Sequence, residues 1–181
     1  MRNIFEKMPN WLLVAISFIV LALSAYFIIL VASLFLGTLG LRPVAQERIP
    51  APDFTLFDVD AQKVTLSDFR GQKVILSFWT TWNEISLEQL NILHLYHQSI
   101  PSDSVVVLAI NSQEDGGTIR EFLKNVQIGF PVLQDREGEV GELYNISVLP
   151  LTVFIDTNGF ESERFIGLVP FQKIQDAQKR L

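Results

Sequence analysis

The sequence predicts an α/β layer sandwich with a central sheet, preceded by one transmembrane helix. Three observations lead to this prediction. Residues 8–41 contain no Asp, Glu, Lys or Arg, residues 52–181 alternate short β-branched runs with amphipathic segments, and a length of 181 residues suits one domain plus an accessory segment.

The composition excludes several classes of function. Residues 42–181 carry 12 basic and 19 acidic side chains, a net charge of −7. A segment with this charge lacks the positive surface that binds the phosphate backbone of a nucleic acid. We expect no nucleic-acid partner. The chain contains no cysteine, which excludes disulfides, thiolate catalysis and thiolate metal sites within it.

An apolar run from Trp11 to Leu36, residues 11–36, is interrupted only by three serines and a tyrosine. A helix of this length would measure roughly 39 Å, and the hydrocarbon core of a bilayer is ~30 Å thick. A cleaved signal peptide usually has an apolar region of only about 7–15 residues, so we predict an uncleaved anchor. Residues 1–10 are then a short tail and residues 37–51 a stalk. Arg2, Lys7 and the amino terminus precede the apolar run, and Arg42 and Arg48 follow it, so the positive charges on the two sides slightly favour a cytoplasmic N-terminus.

The elements that follow are predicted from hydrophobic period and turn chemistry. Residues 54–57 and 64–66 are short strand candidates around an Asp-rich turn, and residues 74–79 and 105–110 are apolar runs typical of strands buried on both faces. Between these runs, residues 84–98 form a helix with Leu87, Leu90, Leu93 and Tyr96 on one stripe.

The second half of the chain continues the alternation. We predict a helix at residues 118–126 with Ile119, Phe122 and Leu123 facing inward, an extended segment at 130–133, and a short helix at 139–144. Strands at 152–156 and 160–166 flank a Thr-Asn-Gly turn, and a helix at 171–181 follows.

Five segments resemble those of a known family, and they follow one another in the same order and at the same spacing. They are PDFTL at 52–56, LSDFRG at 66–71, VILSFW at 74–79, FPVL at 130–133 and VLPLTVFID at 148–156. This part of the chain resembles the TlpA/ResA-type, membrane-anchored thioredoxin-like domains of the redoxin, or AhpC/TSA-like, superfamily. The resemblance implies a thioredoxin-like fold over residues 52–181, with a central mixed sheet flanked by helices. It also implies a domain outside the cytoplasm and a cis Leu149–Pro150 bond that faces residues 82–86.

The active-site segment departs from the family pattern. The family motif resembles F-W-x-x-W-C-x-x-C, whereas this chain has Asn83 and Ser86 at the two cysteine positions. Glu84 matches a glutamate that some cytochrome c maturation members place between their cysteines. Thiol–disulfide exchange requires a thiolate, so we expect a redox-inactive domain with no catalytic residue.

Other chemistry in this segment is disfavoured by distance and ligand count. Ser86 would need His94 or His97 as a base, but these lie roughly 12 Å and 17 Å along the predicted helix, and a base must lie within about 3 Å. The same two histidines have no evident third ligand, so we expect no metal and no cofactor.

Two interpretations of the segment remain. In the structural one, Thr81 and Glu84 form a capping box or Asn83 caps the helix in a neighbouring frame. In the other, the segment borders a retained polypeptide-binding groove formed by Trp79, Trp82, Asn83, Glu84, Leu149 and Pro150.

We therefore predict a single-pass protein of the cytoplasmic (inner) membrane with an extracytoplasmic C-terminal domain. Its predicted partner is an extended polypeptide or a membrane protein, in envelope protein or cytochrome c maturation. The alternatives are a thiol–disulfide oxidoreductase or antioxidant-family protein, as the fold implies, and a structural subunit of a membrane complex.

Overall fold

The computed structural model describes residues 10–38, 48–101 and 104–181. The chain divides into two units, one up to Glu47 and one from Arg48 onward, which are described separately. Residues 1–9 of the predicted tail and residues 39–47 of the predicted stalk lie outside the described residues, as do three of the four charged side chains used to predict orientation.

Helix α1, Asn10–Thr38, is the described part of the first unit. Its residues Val14–Phe35 are the one helical stretch, among the residues described, that is long and apolar enough to cross a membrane. The hydroxyls of Ser24 and Ser33 donate to the carbonyls of Leu21 and Leu30 at 2.8 Å. These polar groups are thus satisfied within the helix, which a lipid environment requires.

The second unit is built on one eight-stranded sheet. The strands are β1 Ile49–Pro50, β2 Thr55–Asp58, β3 Lys63–Thr65, β4 Val74–Trp79, β5 Val106–Ser112, β6 Val132–Asp135, β7 Leu151–Ile155 and β8 Phe160–Ile166. Their order in the sheet is β1-β8-β7-β4-β5-β6-β2-β3. β4, β5 and β6 are parallel, and the other pairs are antiparallel.

Helices cover both faces of this sheet, which is why every residue of β4 and β7 is buried. The helices are α2 Glu84–Ser99, α3 Gly116–Leu123, α4 Glu139–Leu143 and α5 Phe171–Lys179, and a 3₁₀ turn spans Leu66–Phe69. One core layer takes residues from α2, α3 and α5, and the other takes Val140 of α4 and Leu66 of the 3₁₀ turn.

Two predicted boundaries differ from the structure by about three residues, and the others differ by less. Ile49 pairs with Glu161 of β8 and the Ala51 N–H donates to Gly159 O at 3.0 Å, so the folded unit begins within the predicted stalk rather than at residue 52. Helix α3, Gly116–Leu123, begins and ends earlier than the helix predicted at 118–126. The Asp115 side chain accepts from the N–H groups of Gly117 and Thr118, which fixes the start of the helix.

The peptide bond between Leu149 and Pro150 is cis, as predicted from the resemblance. This bond immediately precedes β7, which pairs antiparallel with β4. The two central strands therefore bring the cis-proline loop to the end of the sheet at which β4 leads into α2.

Candidate functional site

The loop between β4 and α2 is fixed by the carboxylate of Glu114, a residue that no sequence pattern predicted at the site. Glu114 Oε2 accepts from the Thr81 N–H and from Asn111 Nδ2, both at 2.7 Å, and Oε1 accepts from the Thr81 hydroxyl. Thr81 is thus fixed by Glu114 and does not form the predicted capping box. No local signal predicts this contact, because it joins residues that are 33 positions apart.

Asn83 joins the start of α2 to the cis-proline loop. Its Oδ1 accepts from the Ser86 N–H at 3.1 Å, which makes Asn83 the N-cap of α2. Its Nδ2 donates to the carbonyl of Leu149 at 3.2 Å. The capping role predicted for Asn83 is confirmed, and the second bond shows that the two motif segments lie within hydrogen-bond distance.

Ser86 and the two histidines do not form a reactive group. Ser86 is fully buried, and its hydroxyl has no hydrogen-bond partner among the described residues. His94 Nδ1 accepts from the Gly129 N–H at 3.2 Å and its Nε2 pairs with Gln98 at 3.0 Å, while His97 packs edge-on against Phe130. Within the described residues, no cluster of three or more His, Asp or Glu side chains could hold a metal ion.

Trp79 does not border the groove, contrary to the sequence prediction. Its side chain is 0% exposed and packs against Phe122 of α3 at a ring-centroid distance of 5.4 Å. The reason is strand alternation, since Ile75 and Trp79 point to the same face of β4 and this face is covered by α2, α3 and α5. Trp79 is a core residue.

An open groove of about 690 Å³ lies beside the Asn83–Leu149 contact. Of the predicted site residues, Trp82, Asn83 and Leu149 line the groove. Glu84, which is exposed, and Pro150, which is buried, do not line it. Loop residues between α4 and the cis-proline, including Ile146 and Val148, complete the wall. No sequence pattern predicted these two residues at the groove.

Exposed apolar side chains surround the cis-proline loop. Trp82 is 72% exposed and Val148 is 52% exposed, and both line the groove. The Gly167 N–H donates to Pro150 O at 2.8 Å, which places its exposed neighbours Ile166 and Leu168 beside the same loop. We call Trp82, Val148, Ile166 and Leu168, all exposed, the apolar rim.

The backbone N–H of Leu149 lies at this rim. The Leu149 carbonyl accepts from Asn83, but the Leu149 N–H has no partner among residues 10–38, 48–101 and 104–181. An unpaired backbone amide beside exposed apolar side chains can donate to the carbonyl of an incoming extended chain.

The carboxylates at the groove have different surroundings. Asp135 is 2% exposed, and its oxygens accept from the Val140 N–H at 3.2 Å and the Gly141 N–H at 2.8 Å. It therefore holds the start of α4, the helix that forms one wall. Glu142, on the same helix, is exposed and lines the groove directly.

Comparison with known proteins gives consistent matches for the second unit. Residues 48–160 match the AhpC/TSA family. The chain is 31% identical over 125 residues to the thiol-disulfide oxidoreductase ResA of Geobacillus kaustophilus, covering 69% of this chain and 72% of that protein. For ResA of Bacillus subtilis the identity is 30% over 126 residues, covering 70% of each.

Solved structures agree with these sequence matches. The exposed lipoprotein thioredoxin Etrx1 of Streptococcus pneumoniae superimposes with a TM-score of 0.66 at 29% identity, over 72% of this chain and 100% of that one. The predicted thioredoxin-like fold with a mixed central sheet is confirmed, and so is the predicted family resemblance.

Proposed function

The chain belongs to the AhpC/TSA family, and from this premise we propose that it is a membrane-anchored thioredoxin-like protein that binds extended polypeptide without exchanging disulfides. The observation that carries the proposal is the apolar rim around the cis-proline loop, with the Leu149 N–H free among the described residues.

The rim has the composition of a polypeptide-binding surface. A large exposed aromatic residue, Trp82, stands beside the aliphatic residues Val148 and Ile166, and aromatic anchors supply much of the binding energy at such surfaces. A carbonyl of an extended segment would accept a hydrogen bond from the Leu149 N–H, and alternate side chains of the segment would contact the rim.

The chemistry of the site supports binding rather than turnover of disulfides. Asn83 and Ser86 stand at the family's cysteine positions, and neither a carboxamide nor a buried hydroxyl can form a mixed disulfide. A partner would therefore be held by reversible, non-covalent contacts and released unchanged.

Placement of the domain is part of the proposal. Helix α1 is the proposed uncleaved anchor in the cytoplasmic membrane, and the second unit is proposed to lie outside the cytoplasm, as the resemblance implies. In that location the partner would be an envelope polypeptide, including one in cytochrome c maturation.

The test is binding of a permanently unfolded polypeptide to the full chain in detergent micelles. Reduced ribonuclease A with carbamidomethyl-blocked cysteines is the probe, and native ribonuclease A is the folded comparison. Trp82→Ala should weaken binding of the unfolded probe by about tenfold or more, since it removes the central aromatic anchor. Phe57→Ala, an exposed phenylalanine on β2 outside the groove, is the matched control.

The proposal predicts that the unfolded probe binds, that the native protein does not, and that only Trp82→Ala reduces affinity. Absence of binding, or equal losses for Trp82→Ala and Phe57→Ala, would overturn it. Turnover of a protein disulfide above the buffer control would overturn the redox-inactive part separately.

A further inference from the structure

Among the described residues, those that line the groove beside Asn83 include acidic and aromatic side chains but no basic one. Its charged lining residues are Asp135 and Glu142, and the rest of the lining consists of polar side chains, glycines and apolar side chains. Around it, residues 48–181 carry 11 basic and 18 acidic side chains, a net charge of −7. A field of this sign attracts cationic segments and repels acidic ones.

Only one of the two carboxylates is available to a partner. Asp135 is buried and uses both oxygens on the first turns of α4. Glu142 is exposed, and within the described residues its side chain makes no hydrogen bond and no ion pair. An exposed carboxylate that is unpaired in the free protein is suited to pair with a charge that the partner brings.

Trp82 adds a second cation-attracting group in the same groove. Its side chain is 72% exposed, so the face of the indole is accessible to solvent. A lysine ammonium or arginine guanidinium is attracted to such a face, and tryptophan is the most favourable ring for this contact.

Given the polypeptide binding proposed above, on which this inference rests, we propose that the groove selects extended segments that carry a lysine or arginine among apolar residues. The cationic side chain lies in the groove between the indole of Trp82 and the carboxylate of Glu142. The apolar residues of the segment contact Val148 and Ile166, and its backbone pairs with the Leu149 N–H.

Three synthetic nine-residue peptides of Ser, Thr and Val test the inference, identical except for a central lysine, norleucine or glutamate. Their affinities for the full chain in detergent micelles are measured by fluorescence anisotropy. We expect the lysine peptide to bind roughly fivefold tighter than the norleucine peptide, from an exposed cation–π contact plus an exposed ion pair. The glutamate peptide should bind weakest, and raising the salt concentration should reduce the differences.

Two variants separate the local contact from the overall charge. Glu142→Gln should remove most of the preference for lysine, measured as the ratio of the lysine and norleucine affinities. Glu137→Gln removes the same unit of charge at an exposed position outside the groove lining and should preserve the preference.

Equal affinity for all three peptides, or equal effects of Glu142→Gln and Glu137→Gln, would overturn the charge selection and leave polypeptide binding standing. If none of the peptides binds and the unfolded ribonuclease also fails to bind, both proposals fall.

Discussion

Asn83 provides the sharpest test of how the degenerate motif segment is held. Its amide makes two hydrogen bonds with different purposes, one that caps α2 through Ser86 and one that joins the helix to the cis-proline loop through Leu149. Substitutions that remove one bond or both can measure these contributions separately.

The magnitudes follow from the two bonds. Asn83→Ala loses the cap, typically ~1 kcal/mol, and the bond to the Leu149 carbonyl, about 0.5–1.5 kcal/mol. We expect a loss of about 2 kcal/mol in the free energy of unfolding. Asn83→Ser keeps a capping oxygen but is too short to reach Leu149, so its loss should be about 1 kcal/mol.

The assay is urea unfolding of the full chain in detergent micelles, followed by tryptophan emission, because buried Trp79 becomes exposed when the second unit unfolds. With a slope of about 1–3 kcal/mol per molar urea, Asn83→Ala should lower the midpoint by about 1 M and Asn83→Ser by about half as much. Asn91→Ala is the control, since Asn91 is an exposed asparagine within the same helix.

Two outcomes would refute the reasoning. If Asn83→Ser matches the wild type, the bond to Leu149 contributes nothing to stability. If Asn83→Ser and Asn83→Ala lose the same amount, the cap contributes nothing. The comparison is valid only if the slopes are equal, because a changed slope indicates a changed denatured or native state.

Two further predictions concern the pH dependence and the geometry of the motif. Burial raises the pKa of Tyr96 to about 12, above its unfolded value near 10. The contribution of neutral Tyr96 to the free energy of unfolding is therefore fully present below pH 10 and is lost as the pH rises towards 12. Urea midpoints between pH 9 and pH 11.5 should show this fall, and Tyr96→Phe should reduce it; the part due to Tyr144, whose pKa is also raised by burial, should remain. An equal fall in both proteins would contradict the assignment. The double substitution Asn83→Cys with Ser86→Cys should form a disulfide on mild oxidation, because positions i and i+3 of a first helical turn lie about 5–6 Å apart at Cα, within disulfide range. Alkylation followed by mass spectrometry counts the thiols that remain free after oxidation, and each single substitution is a control. Full alkylation of the oxidised double variant would show that the loop no longer has the family's geometry.

The features that sequence alone determined are those set by neighbours in the chain. The apolar runs at 74–79 and 105–110 predicted β4 and β5, because a strand covered on both faces needs continuous apolar residues. The start of α2 followed from Asn83, since an N-cap bonds within its own turn. The cis Leu149–Pro150 bond followed from the family resemblance of residues 148–156.

The tertiary structure alone decided which side chains meet at the site. Glu114 reaches Thr81 across 33 positions, and Asn83 reaches Leu149 across 66, so no local period encodes either bond. Trp79 was predicted at the groove, but its burial depends on which face of β4 the helices α2, α3 and α5 cover. Ile166 and Leu168 join the apolar rim because β8 pairs with β7 and Gly167 bonds to Pro150. A binding surface assembled from separate loops becomes visible only when the sheet has set the distances between them.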